Sequence, residues 1–115
     1  MGLAKELRNR RKQSRRKIEV AEWGDDDGAF TLYCRPITCY DLNELQRKHP
    51  TVLQNPSIAS MVDLIVMKAE GQDGEKLFTS AEDKIDLMGE ETMIVSEIAN
   101  QMFGTIESVE DLAKN

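Results

Sequence analysis

This sequence is poor in the residues that do covalent and metal chemistry. Its 115 residues include one histidine, His49, and two cysteines, Cys34 and Cys39. A four-ligand zinc site needs more Cys and His than one cluster here can supply. No Gly-x-Ser-x-Gly elbow, phosphate-binding loop or dinucleotide fingerprint is present. His49 stands just before Pro50 with no nucleophile paired to it by sequence pattern. Cys39 falls at an expected helix start, where the dipole favours a thiolate, but one reactive thiol does not define an enzyme. Asp25-Asp26-Asp27 and the Asp73/Glu75 pair lack the spacing of a calcium loop and read as solvated turns. The expectation is a non-enzymatic chain with no catalytic residue, no metal site and no cofactor.

Aromatics are scarce too, at 5%. No apolar run approaches the roughly 18 residues that span a bilayer, and no leader-like apolar stretch opens the chain. Neither a membrane partner nor export is expected. The two cysteines are then read as free thiols in a reducing cytoplasm. The length fits one domain with one modest core.

What the sequence does have is charge, unevenly placed. Net charge is −6, from 15 basic and 21 acidic residues. Residues 1–17 carry eight bases (Lys5, Arg8, Arg10, Arg11, Lys12, Arg15, Arg16, Lys17) against Glu6, a balance of +7. The remaining seven bases and 20 acids give residues 18–115 a balance of −13. The lead has almost no apolar face and is expected to be a flexible arm or frayed helix. By charge alone it resembles a nucleic-acid footprint. It lacks interleaved aromatics, and the acidic body opposes that use.

The body reads as a single globular domain over 18–115: a small β-hairpin over 18–35, then helices over 38–115. The fold class is mainly α with an N-terminal hairpin (α+β), a compact bundle of about four to five helices. Ile18–Trp23 and Ala29–Arg35 are strand-like, joined by a five-residue loop, Gly24–Gly28. Thr38 and Asp41 have capping-box spacing for a helix that Pro50 stops. Asn55-Pro56 opens the next helix, whose apolar stripe is Ile58, Met61, Val62, Ile65, Val66 and Ala69. Gly71–Gly74 is a turn and Lys76-Leu77-Phe78 a short extended anchor. Thr79 or Ser80 caps a helix with Ile85, Leu87 and Met88 inward, ended by Gly89. A long helix from Glu90 to Phe103 turns Met93, Ile94, Ile98, Ala99, Met102 and Phe103 inward. Gly104 ends it, and Ser108 caps a last short helix.

A surplus of methionine, six in all, suits either core filling or adaptable contact with a helical partner. The candidate partner-binding residues are Met61, Ile65, Met93, Ile98 and Met102, on the central and long helices. The candidate self-assembly residues are Arg8, Arg10, Arg11, Lys12, Arg15, Arg16 and Lys17, docking on the acidic body of another copy.

The order of elements carries a resemblance. A strand ends in Trp23, a second in Arg35-Pro36, and a helix begins Thr38-Cys39-Tyr40-Asp41-Leu42. An apolar helix feeds Gly74-Glu75-Lys76-Leu77-Phe78-Thr79, and the chain closes on a long helix, Gly104, and Ser108-Val109-Glu110-Asp111-Leu112. From about residue 18 onward this layout resembles the tail assembly chaperones of long-tailed bacteriophages with non-contractile tails. The match rests on order and spacing rather than on a signature residue, and no family role carries onto residues 1–17. The resemblance implies a protein of the host bacterial cytoplasm, absent from the mature virion, that binds and solubilises the tape measure protein. It implies help in recruiting major tail protein, mainly through a longer frameshifted product, with this chain as the short form. Self-association is expected because coating a long partner takes many copies. The alternatives are a small structural or adaptor protein of the virion and a nucleic-acid-binding regulator using the basic arm.

Overall fold

The computed structural model describes the backbone of residues 2–13 and 15–114 and the side chains of 2–10 and 15–104. It is an α+β fold, with five helices and one antiparallel three-stranded sheet among the described residues. The order is α1 (Leu3–Gln13), β1 (Arg16–Asp25), β2 (Gly28–Cys34), α2 (Cys39–Lys48), α3 (Ile58–Lys68), β3 (Ala69–Glu70), α4 (Ala81–Met88) and α5 (Thr92–Lys114). The strands lie in sequence order, β1-β2-β3.

The hairpin is longer and tighter than the sequence pattern predicts. β1 already begins at Arg16, and Asp25 pairs with Gly28, so the loop is only Asp26-Asp27. Asp27 N–H donates to Asp25 Oδ1 at 2.9 Å, a local bond that competes with further strand pairing. Neither aspartate takes positive φ; Gly28 does, at 134°. Gly24 is needed for closeness: a Cβ there would sit 2.2 Å from the Gly28 carbonyl oxygen.

The inner face of the hairpin carries Ile18, Val20, Leu32 and Cys34, all buried. Alternation would next bring Glu22 inward. An irregularity of register between Val20 and Asp25 changes the parity, and Trp23 turns in instead. Helix α3 packs on α2, α4 and α5, and α5 also packs on β1. Leu45, Val52, Val62, Leu64, Ile65, Leu87, Ile94, Val95, Ile98, Ala99 and Met102 complete the core. Each such aliphatic side chain contributes about 1.5–3 kcal/mol by leaving water.

Caps and two ion pairs set the helices. Thr38 and Asp41 form a reciprocal capping box on α2, and Ser80 and Asp83 form one on α4. Helix α3 opens after Asn55-Pro56 rather than on it: Ser57 is its N-cap, and the Ser57 carbonyl also accepts from the buried Ser60 hydroxyl at 2.7 Å. Lys68 Nζ, at the end of α3, reaches Asp41 Oδ2 at 2.7 Å. Asp63 joins three helices: Oδ2 meets His49 Nε2 at the C-cap of α2 (2.7 Å) and Oδ1 meets Lys84 of α4 (2.6 Å).

Three expectations about the C-terminal half are corrected. Gly104 does not end the long helix; α5 continues to Lys114, so no separate helix starts at Ser108. A glycine costs a helix only about 1 kcal/mol and does not break it. Ile85, Met88 and Met93 do not face the core but stand exposed, at 69%, 50% and 72% of their surface. The physical reason is that α4 and α5 each need only one stripe for packing, supplied by Leu87 on α4 and by Ile94, Val95 and Ile98 on α5.

Candidate interaction site

Three of the chain's six aromatic residues converge at the turn end of the hairpin. The Trp23 ring stands edge-on to Phe30 with centroids 6.3 Å apart, and to Phe78 at 6.4 Å. Such T-shaped pairs add about 0.5–1.5 kcal/mol to the burial of their area. β1 and β2 supply Trp23 and Phe30. Phe78 comes from the segment between β3 and α4, anchored where Leu77 N–H donates to Ala69 O at 3.2 Å. With Leu77, Leu87, Asp86 and Glu90, these rings line an open groove of about 350 Å³. Its floor is apolar and its two acids are exposed at the edge. The Trp23 indole N–H is buried with no acceptor among the described protein groups.

Helix α4 presents different chemistry on its two sides. At 100° per residue, Asp86 and Leu87 share the groove side, while Ile85 and Met88 lie opposite. The exposed Ile85 and Met88, three residues apart on α4, therefore form a second apolar patch, and Met93 stands exposed in the first turn of α5. Acids surround both: residues 81–91 hold Glu82, Asp83, Asp86, Glu90 and Glu91 against Lys84, a balance of −4.

Of the five partner-binding residues expected from sequence, Ile65, Ile98 and Met102 are buried in the core. They are occupied by packing in this fold and present no contact surface. Met61 is half-buried, with Ser96 Oγ donating to its sulfur at 3.7 Å. Met93 stands on the surface, away from the other four in exposure. The groove itself was missed. The signal for it was thin: aromatics at 23, 30 and 78 cannot be brought together without the register of the hairpin.

The basic lead is divided by the structure. Residues 2–10, with Lys5, Arg8 and Arg10, are exposed on or beside α1, together with Leu3 and Leu7. The side chains of Arg11 and Lys12 lie outside the described residues. Arg15, Arg16 and Lys17 have partners within the fold. Arg15 lies over the Tyr33 ring, 4.4 Å from its centroid, and donates to Gln72 O at 3.0 Å. Arg16 donates to Gln101 O, and Lys17 pairs with Glu19 at 3.5 Å. Arg35, just after β2, and Glu70 of β3 approach to 3.2 Å, close enough to pair though not aligned as a hydrogen bond.

Two local environments bear on chemistry. Burial pushes the Cys34 thiol up to about 11, so it is a packed apolar group rather than a nucleophile. His49 Nε2 and Asp63 Oδ2 lie 2.7 Å apart, but among the described residues no Ser, Thr or Cys side chain bonds the ring, so the pair lacks the nucleophile of a triad. Nor do the described residues hold a group of three His, Cys, Asp or Glu placed to hold a metal ion. No described helix is long and apolar enough to cross a membrane. The site is thus an aromatic groove with an acidic edge, backed by an exposed Ile/Met surface. No family model, curated protein or solved structure matches this chain.

Proposed function

We propose that this chain is a tail assembly chaperone of a long-tailed, non-contractile bacteriophage. It acts without catalysis in the host cytoplasm, binding the tape measure protein and keeping it soluble until the tail tube forms. Recruitment of major tail protein falls mainly to a longer frameshifted product, and neither protein form remains in the virion. The observation that carries the reading is the exposure of Ile85 and Met88 on α4 and of Met93 on α5, on a strongly acidic body. Flexible methionine side chains adapt to successive, non-identical faces of a long helical partner. The surrounding negative charge keeps the complex hydrated and self-repelling. The order of elements from Ile18 to the chain's end, which resembles that family, supplies the partner's identity.

Co-expression tests it. The tape measure protein of the same tail gene cluster is produced with and without this chain, and the soluble fraction is assayed. The reading predicts a soluble, co-purifying complex that Ile85→Asp/Met88→Asp weakens. Tape measure protein that stays in the pellet in both cases overturns it. Stoichiometric recovery of the chain from purified virions would favour a structural adaptor instead.

A further inference from the structure

The groove at Trp23 and the helix α1 have complementary chemistry. Helix α1 carries Leu3 and Leu7 one turn apart, with Ala4 beside them, on an otherwise charged rod. Its bases Lys5, Arg8, Arg10, Arg11 and Lys12 against Glu6 give +4, the opposite of the −4 over residues 81–91. Arg8 and Arg10 lie one turn beyond Ala4 and Leu7, so positive charge flanks the leucines. The groove has the reverse: Trp23, Phe30, Leu77, Phe78 and Leu87 as an apolar floor, Asp86 and Glu90 at the edge. An eleven-residue amphipathic helix with an exposed apolar stripe is marginal alone and gains from covering that stripe.

We infer that α1 of one copy docks in the Trp23 groove of a second copy. The occupant comes from another molecule, because α1 does not fill the groove of its own: Leu3 and Leu7 stand 68% and 41% exposed, and Phe30 on the groove floor is 38% exposed. A copy that gives its helix and receives another's makes a head-to-tail contact, which propagates as an open chain or a ring. One short helix in one groove is well below a standard interface of about 1,600 Å², so each link is weak and salt-sensitive. This deepens the self-association expected from the sequence, rests on the proposed chaperone role only for its purpose, and is independent of which protein the assembly coats.

The test is a charge exchange, followed by sedimentation velocity on the full chain without any partner. Trp23 is the sole tryptophan, so its emission reports occupancy of the groove. The wild-type chain should sediment faster with rising concentration at low salt, with blue-shifted emission, and revert to monomer near 1 M salt, where screening is within about 3 Å. Arg8→Glu/Arg10→Glu in one variant and Asp86→Lys/Glu90→Lys in another should each weaken association by about tenfold or more. All four side chains are exposed, so both variants should keep the wild-type melting temperature. Mixing the two variants should restore association, because each then meets an oppositely charged groove. A second variant of α1, Leu7→Asp, should not self-associate, and mixed with the groove variant it should stop at dimers through the one intact helix–groove contact, whereas the charge-exchanged pair should assemble beyond dimers. A wild-type monomer at all concentrations, variants that associate normally, or a mixture that fails to recover overturns the inference. Because no tape measure protein is present, such a failure leaves the chaperone reading standing, and a failed co-expression leaves this one standing.

Discussion

Arg16, at the start of β1, donates to the carbonyl of Gln101 through the space left by the missing side chain of Gly104. A Cβ built at Gly104 would lie 2.7 Å from the Arg16 guanidinium. The glycine inside α5 is therefore a port for an arginine from the sheet. Gly104→Ala alone should leave stability nearly unchanged, the helix gain offset by displacement of Arg16. In an Arg16→Met background the same change should stabilise by about 1 kcal/mol. A double-mutant cycle by urea denaturation measures the difference; equal effects in both backgrounds would remove the port.

Acid should loosen the joints between helices. Burial alone would raise the Asp41 carboxyl, but the bonds from Lys68 and Thr38 outweigh it and hold it below the usual range. Asp63 is likewise lowered, because His49 and Lys84 outweigh its burial. Backbone N–H groups of Thr79 and Ser80 lower Asp83. Carboxyls lowered by folding stabilise the native state fully above the unfolded value, about 3.9 for Asp, and that contribution is lost as pH falls through the folded values. Melting temperature should hold from neutral pH to about 5 and drop below about 4. Asp41→Asn should flatten the acid limb while lowering stability at neutral pH.

The two thiols should differ sharply. Cys39 is exposed in the first turn of α2, whereas Cys34 is buried with its thiol pushed up to about 11. Alkylation of the native protein at mildly alkaline pH should label Cys39 alone, and denaturant should add Cys34. Mass spectrometry of the labelled protein reads the outcome; native labelling of Cys34 would contradict its packing.

Substitutions on α5 should separate core from surface. Ile98→Ala removes a buried side chain and should cost about 2–5 kcal/mol. Met93→Asp, at an exposed position, should change stability by no more than about 0.5 kcal/mol. At the hairpin, Gly24→Ala forces a Cβ against the Gly28 carbonyl and should destabilise by about 1–3 kcal/mol, with a shift in Trp23 emission. Thermal denaturation of the three variants checks all of this.

Local chemistry was legible in the sequence wherever a local rule governs the outcome. Thr38-x-x-Asp41 announces its helix because a capping box is made within four residues, and the cap expected at Thr79 or Ser80 falls on Ser80, which the structure boxes with Asp83. The stripe on α3 is legible because packing repeats at helical period, although Ile58 at its end remains exposed. Gly104 misled because glycine ends helices more often than it admits a neighbouring arginine. The candidate site was hidden for a related reason. Trp23 joins Phe30 and Phe78 only after a register irregularity reverses the parity of β1. Likewise, hydrophobic period alone assigns Met93 and Met102 to the same face-seeking class, while packing against α3 and β1 selects only one of them.

The central claim is that this chain holds a long helical partner in solution by binding it in several copies. The measurement that tests it most directly is the mass of the complex purified after co-expression with the tape measure protein, by light scattering coupled to size exclusion. The account predicts a soluble complex with more than one copy of this chain per tape measure chain, reduced in yield by Ile85→Asp/Met88→Asp. A tape measure protein that remains insoluble, or a purified chain that carries none of it, would contradict the account.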